Sequence, residues 1–231
     1  MYGFSLPDFI ALAWFAAAWA GYSIVVELTP AGRHGLNHRM DRYRDLWMRT
    51  MLDRDLRIVD TQIMASLQNG TAFFASTSLL AIGGAFALLR ASEEVLALFT
   101  QLPFGIRMTQ AVWETKVIGV LLIFVYAFFK FSWSYRLFNY AAILVGALPP
   151  PEAAKTKAAL AAADRVARMA TLAGRHFNRG QRAFFFALAY LGWFVNAWVF
   201  VLATAAVLVV VANRQFGPAA QKVMDDRPSS S

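Results

Sequence analysis

The 231-residue chain contains no cysteine. Disulfides, thiolate metal sites and a cysteine nucleophile are therefore excluded, although the absence fits either redox compartment. There is also no phosphate-binding P-loop, no glycine-rich dinucleotide fingerprint, no GxSxG elbow and no paired-carboxylate motif, so neither an enzymatic activity nor a cofactor is expected. Only three histidines are present. His34 and His38 stand four apart with Asp41 beyond, a spacing at which one helix aims both rings at a single metal. Gly35 weakens such a helix, the zinc-protease glutamate is missing and His176 lies far along the chain, so no metal site is assigned. The opening MYGFSLPDF lacks a basic segment, and the apolar stretch after it is too long for a signal-peptide core. The first helix is expected to stay in place.

Apolar residues are what the chain has in excess. It is 58% hydrophobic and 15% aromatic, with mean hydropathy +0.47, above the usage of soluble domains. Four long apolar stretches, about 6–28, 67–89, 117–138 and 183–212, are each long enough to cross roughly 30 Å of hydrocarbon as a helix. The class implied is an all-α polytopic membrane protein: four transmembrane helices with two amphipathic cytoplasmic helical extensions, about 37–66 and 152–173. One membrane domain covers 1–216, and a polar tail covers 217–231.

Charge sets the orientation. The formal net charge is +8. Seven arginines lie between the first two spans and seven more Lys or Arg between Lys155 and Arg182. With Lys130 and Arg136 these put sixteen cations on one side, against six on the other. The positive-inside rule makes 29–66 and 139–182 cytoplasmic, leaves both termini and the 90–116 loop outside, and suits a bacterial inner membrane. Nucleic acid is not the partner expected, because Arg42, Arg49 and Arg57 alternate with Asp45 and Asp53 as on a solvated face. Anionic lipid headgroups at the cytoplasmic surface are.

Within the first span, Pro7-Asp8 reads as a helix start and Thr29-Pro30-Ala31-Gly32 as its end. Ala13, Ala17 and Gly21 fall four apart, a pattern that allows close helix approach in lipid, though Ala-rich composition mimics it. From 37 to 66 there is no Gly or Pro, and Leu52, Leu56, Val59, Ile63 and Ser66 alternate by four and three, predicting one helix that runs straight into span two. Between Pro149-Pro150-Pro151 and Gly174, the residues Ala159, Ala163, Val166, Ala170 and Ala173 repeat in the same way. The two extensions either pair with each other or with symmetry mates. Ser76-Thr77-Ser78, Asn69 and Asn196 are expected to bond within their own helix or to a neighbour, and Gly83-Gly84 to permit close packing.

Span three carries the most informative polar residues. A cation in hydrocarbon is expensive, and Lys130 lies about 9 Å inside Arg136 at 1.5 Å per residue. It should snorkel, or meet an acid or a hydrated cavity. An inner-leaflet polar cluster of Glu27, Asp60, Gln62, Lys130, Arg136 and Arg182 is predicted, with Asp60 paired to Arg136 or Lys130.

Four strings, RIVDTQ (57–62), FFAST (73–77), FFKFSWSYR (128–136) and RAFFFALAYLGWF (182–194), resemble an uncharacterised group of four-span membrane proteins from bacteria and plants, domain of unknown function 599. The likeness spans roughly Leu6 to Phe216. Ser132 stands where the group favours Thr, and Leu137 where Gln is frequent; neither touches the ionic cluster. The resemblance implies the fold and no reaction, ligand or catalytic residue. Two functions are therefore carried forward. The first is an accessory or scaffold protein that binds lipid or another membrane complex, as a homo-oligomer or a subunit. The second is a homo-oligomeric, anion-favouring channel or transporter.

Overall fold

The computed structural model describes residues 3–101 and 108–218, with the side chains of 99–101 left aside. The expected tail at 217–231 falls almost wholly outside them. Among the described residues the chain is all-α, with no strand: α1 (Leu6–Leu28), the single turn α2 (Pro30–Arg33), α3 (Leu36–Leu52), α4 (Ile58–Arg90), α5 (Ser92–Gln101), α6 (Gln110–Gly146), α7 (Lys157–Leu191) and α8 (Ala197–Phe216). Helices α1, α4, α6 and α8 are long and apolar enough to cross a membrane. At 1.5 Å per residue α6 is about 55 Å long, so it must continue well beyond a hydrocarbon layer of roughly 30 Å.

Two tiers follow from that excess length. In the first, α1, α8 and the adjoining ends of α4, α6 and α7 enclose an aromatic core. Phe15 meets Phe186, Tyr190 and Phe200 at centroid distances of 5.7, 5.6 and 5.1 Å, and Trp19 stacks on Phe186 at 5.5 Å. In the second tier, α3 joins the opposite ends of α4, α6 and α7. Its core is Met48, Met51, Leu52, Met64 and Phe138 against an alanine-rich face of α7. All five residues of the repeat from Ala159 to Ala173 are buried there, so small side chains bring α7 close to its neighbours. The two extensions do pair with each other, and antiparallel: Arg175 of α7 donates to Asp41, while Arg49 of α3 donates to Asp164.

Several boundaries differ from the sequence expectation. The helix predicted over 37–66 is broken at 53–57. Asp53 caps α3, and Arg57 turns away to donate to the carbonyls of Leu148 and Pro149 at 3.2 and 2.6 Å. The chain trades continuity for closing the end of α6, and Leu56, Val59 and Ile63 are left exposed. Gly174 does not end a helix. Helical glycine costs only about 1 kcal/mol, and here a Cβ would lie 2.7 Å from Arg44 Nη2, so the missing side chain makes room for that guanidinium. Ala13 and Ala17 face outward while Ala11, Phe15 and Ala18 are buried. Among the described residues, nothing outside the local helix backbone lies within 4 Å of the Cβ positions of Gly21, Gly83 or Gly84, so these small residues make no close helix contact there.

The largest difference concerns the run 183–212. It is not one span but a hairpin: α7 ends at Leu191, a 3-10 turn covers Gly192–Phe194, and Asn196 caps α8 by accepting from the Val199 amide at 2.8 Å. Gly192 lies against the Val199 carbonyl, where a side chain would crowd the turn. The last stretch of α7 buries Ala183, Phe186, Ala187 and Tyr190 in the aromatic core while Leu188 and Leu191 stay exposed. Helix α8 then runs parallel to α1: Phe200 lies beside Phe15, and Tyr22 donates to the Val211 carbonyl at 3.0 Å. At the other end Asp8 accepts from Trp193 at 2.7 Å. Ser5 and Phe216 thus lie at opposite ends of the bundle, which corrects the expectation that both termini share a side. An uninterrupted apolar run had concealed the turn.

Candidate functional site: polar groups where the two tiers meet

Five of the six residues of the predicted cluster are divided among three places, and Gln62 joins none of them. The first is built by Glu27, at the last turn of α1. It accepts from Arg179 Nε and Nη2, the latter at 2.6 Å, and from Arg182 Nη2. Arg182 is 8% exposed, so its charge depends on that carboxylate. Beside this triad, a cavity of about 420 Å³ opens between the end of α1, the start of α3 and α7, and Asn37, His38, Asp41, Arg175 and Asn178 line it. Asp41 also accepts from Arg44 at 2.7 Å. Burial lowers the pKa of Arg44 and Asp41 opposes that, although a guanidinium stays charged in either case.

Asp60 forms the second place. It does not reach Lys130 or Arg136. It is 1% exposed and accepts from Trp47 Nε1 at 2.6 Å and Arg54 Nη1 at 2.5 Å, both supplied by the chain just before it. The break at 53–57 is what brings them within reach. Gln62, two residues on, is exposed and belongs to no cluster.

Lys130 and Arg136 form the third, with His176. They line a crevice of about 430 Å³ on the outside of the bundle, walled by Phe129 and Trp133. Lys130 Nζ lies 5.1 Å from the Tyr126 ring; Arg136 donates to the Tyr140 hydroxyl at 2.6 Å and sits over that ring. Neither cation has a carboxylate partner among the described residues. His34 and His38 do not share a helix: His34 caps α2, its Nδ1 3.2 Å from the Pro30 carbonyl, whereas His38 is on α3. Among the described residues no three metal-ligating side chains converge.

Several other polar groups are bonded within their helix or to a neighbouring one, whereas the buried Thr204 hydroxyl of α8 has no partner among the described residues. Thr71, Thr77 and Ser78 donate to the carbonyls four residues before them, as expected for the two hydroxyls of the triplet. Ser134 donates across to the Ala173 carbonyl at 2.7 Å, and Gln68 to Asn139 at 2.7 Å. Sequence reasoning missed the polar clamp at the far end, where Lys116 Nζ donates to the Trp193 carbonyl at 2.7 Å while the same indole donates to Asp8. It also missed Arg179 and Trp47. A signal for Arg179 was present, since it precedes Arg182 by three and so shares its helix face.

Helices able to span a bilayer, stacked on an extension held together by α3, define a polytopic all-α membrane protein. The chain belongs to the family described as "Protein of unknown function, DUF599", which matches residues 10–219. No match is found among curated proteins or among solved structures.

Proposed function

We propose that this chain is an accessory membrane protein that holds anionic phospholipid at the cytosolic boundary of a bacterial inner membrane and presents its outer faces to a second copy or to another membrane complex. The observation that carries the reading is the crevice of Lys130, Arg136 and His176. Its two basic side chains leave the bundle interior, rest on tyrosine rings and have no carboxylate partner among the described residues, as suits a site completed by a phosphodiester. Each cation near an anionic surface contributes about 1 kcal/mol. The pair would give roughly a thirtyfold preference over zwitterionic lipid. The outward Ala13, Ala17 and Gly83-Gly84 surfaces leave room for a partner helix.

The orientation that accompanies this reading puts the N-terminus outside and the chain after α8 in the cytosol. Arg214, Lys222 and Arg227 then join the cytosolic side, which holds nineteen cations against three, a stronger bias than four crossings give. Against a channel within one chain stand the ring-filled first tier and the hydroxyls bonded to their own helices. A path enclosed between several copies would pass the perimeter, where Lys130 lies.

The test is native mass spectrometry of protein extracted in mild detergent and exchanged into mixed phosphatidylglycerol and phosphatidylcholine, with anion flux measured in proteoliposomes. Preferential retention of the anionic lipid, lost in Lys130→Met/Arg136→Met, with flux at the level of empty liposomes, is the expected result. Equal retention of both lipids refutes the lipid site. Flux above background that Lys130→Met abolishes replaces the proposal with the channel.

A further inference from the structure

A second space lies on the far side of Arg182 from Glu27. The cavity beside Glu27 meets another of about 330 Å³ between α3, α7 and α8, and the two share Asn37, Asn178 and Arg182. On the α8 side the lining includes Arg214 and Gln215, with Tyr22 and Phe185 as walls and no carboxylate among its residues. Gln215 is 6% exposed, and its Nε2 has no hydrogen-bond partner. A buried amide donor left unmade costs about as much as a lost hydrogen bond, and this one, enclosed against Gly35, gains an acceptor by turning into the adjoining space. Gly35 makes room for that amide, since a Cβ there would overlap Gln215 Nε2.

The donors around the space are of one kind. Arg182 spends one nitrogen on Glu27 and keeps its other N–H groups, Arg214 lies over the Phe185 ring 5.1 Å away, and the amide side chains of Asn37 and Asn178 hold no hydrogen bond to another side chain among the described residues. Guanidinium and amide N–H groups converging where no acid stands match a group that offers several anionic oxygens.

We propose that this cleft binds a phosphate-bearing anion, held by Arg182, Arg214, Asn178 and the Gln215 amide. The site is distinct from the outer crevice and shares no residue with it. Its phosphate comes either from the cytosol or from a lipid headgroup reaching in beneath α8, and the chemistry of recognition is the same.

The full-length protein in detergent is titrated with inorganic phosphate against potassium chloride at matched ionic strength, followed by calorimetry and by melting temperature. A parallel arm measures retention of phosphatidylglycerol by native mass spectrometry. Wild type is expected to bind saturably in at least one arm. Gln215→Leu and Asn178→Ala each weaken that binding about tenfold, the loss of one hydrogen bond to a charged group. Gln215→Leu should melt no lower than wild type without ligand, because it removes an unsatisfied donor, so lost binding cannot be blamed on misfolding. Lys130→Met leaves inorganic phosphate binding unchanged, which separates this site from the outer crevice. Binding confined to the lipid arm and weakened by Gln215→Leu identifies the headgroup as the source. Binding in neither arm, or binding that both cleft variants leave intact, overturns the proposal.

Discussion

Removing the Asp60 carboxylate tests the second tier most sharply. Its side chain is wholly buried, and it accepts from Trp47 at 2.6 Å and from Arg54 at 2.5 Å. A hydrogen bond to a charged group contributes about 1.5–3 kcal/mol. The share from Arg54 is smaller, because that side chain is 39% exposed and water takes over when the carboxylate leaves. Trp47 is partly buried, and Asp60→Ala takes the acceptor from its indole N–H beside the Met48–Met64 core, at about 1–3 kcal/mol. The relief of no longer burying a carboxylate offsets part of this. The balance is a loss of about 2–3 kcal/mol, roughly 5–10 °C in melting temperature for a chain of this size. Asp53→Ala is the control, since Asp53 is exposed and its side chain makes no hydrogen bond among the described residues, and it should stay within about 0.5 kcal/mol. The assay is thermal unfolding in one detergent at one scan rate, with Trp47→Phe and the Asp60→Ala/Trp47→Phe double variant completing a cycle. Equal melting temperatures for the Asp60 and Asp53 variants, or a cycle with no coupling, would refute the packing described.

Two further outcomes follow from the first tier. Glu27→Gln keeps the shape of the α1 terminus but leaves the nearly buried Arg182 without its counter-charge. A loss of about 2 kcal/mol is expected, below the full cost for a sealed pair because the Glu27 side chain is 28% exposed; melting the variant beside Glu93→Gln checks it, and matching curves would contradict it. Gly119→Ala places a methyl group on the Tyr190 hydroxyl where α6 and α7 touch, and should cost about 1–3 kcal/mol. Pairing it with Tyr190→Phe removes the obstructing oxygen and should recover part of that loss, which denaturation of the single and double variants measures.

How far the sequence foretold these features depended on whether a local pattern carried them. Ala159, Ala163, Ala170 and Ala173 repeat with the helix period and are buried against a neighbouring helix, whereas the equally regular Ala13 and Ala17 face outward, so the period marks a face without saying what covers it. The four resembling strings led to the right family. Asp60 was assigned to Arg136 or Lys130, whereas its partners are Trp47 and Arg54. Depth along the bundle is legible from sequence spacing, whereas the direction in which a side chain points around the axis depends on how neighbouring helices cross. Asp60 faces the chain that precedes it and Lys130 faces outward, so equal depth did not mean contact. The α7–α8 turn was hidden for a different reason. Five residues, Gly192 to Asn196, interrupt an apolar stretch without a charge or a proline, and only the glycine and the capping asparagine betray them.

Every functional statement depends on which bundle end meets the cytosol and on the termini lying at opposite ends. Because the chain has no cysteine, single substitutions can be labelled in an otherwise silent background. Ser5→Cys, Arg49→Cys and Asn213→Cys, each exposed in the structure, are to be treated in intact cells and again after permeabilisation with a membrane-impermeant maleimide. Labelling of Ser5→Cys in intact cells, with the other two reacting only once the membrane is opened, is the result predicted. If Ser5→Cys and Asn213→Cys react from the same side, the hairpin reading and the sites built on it are contradicted.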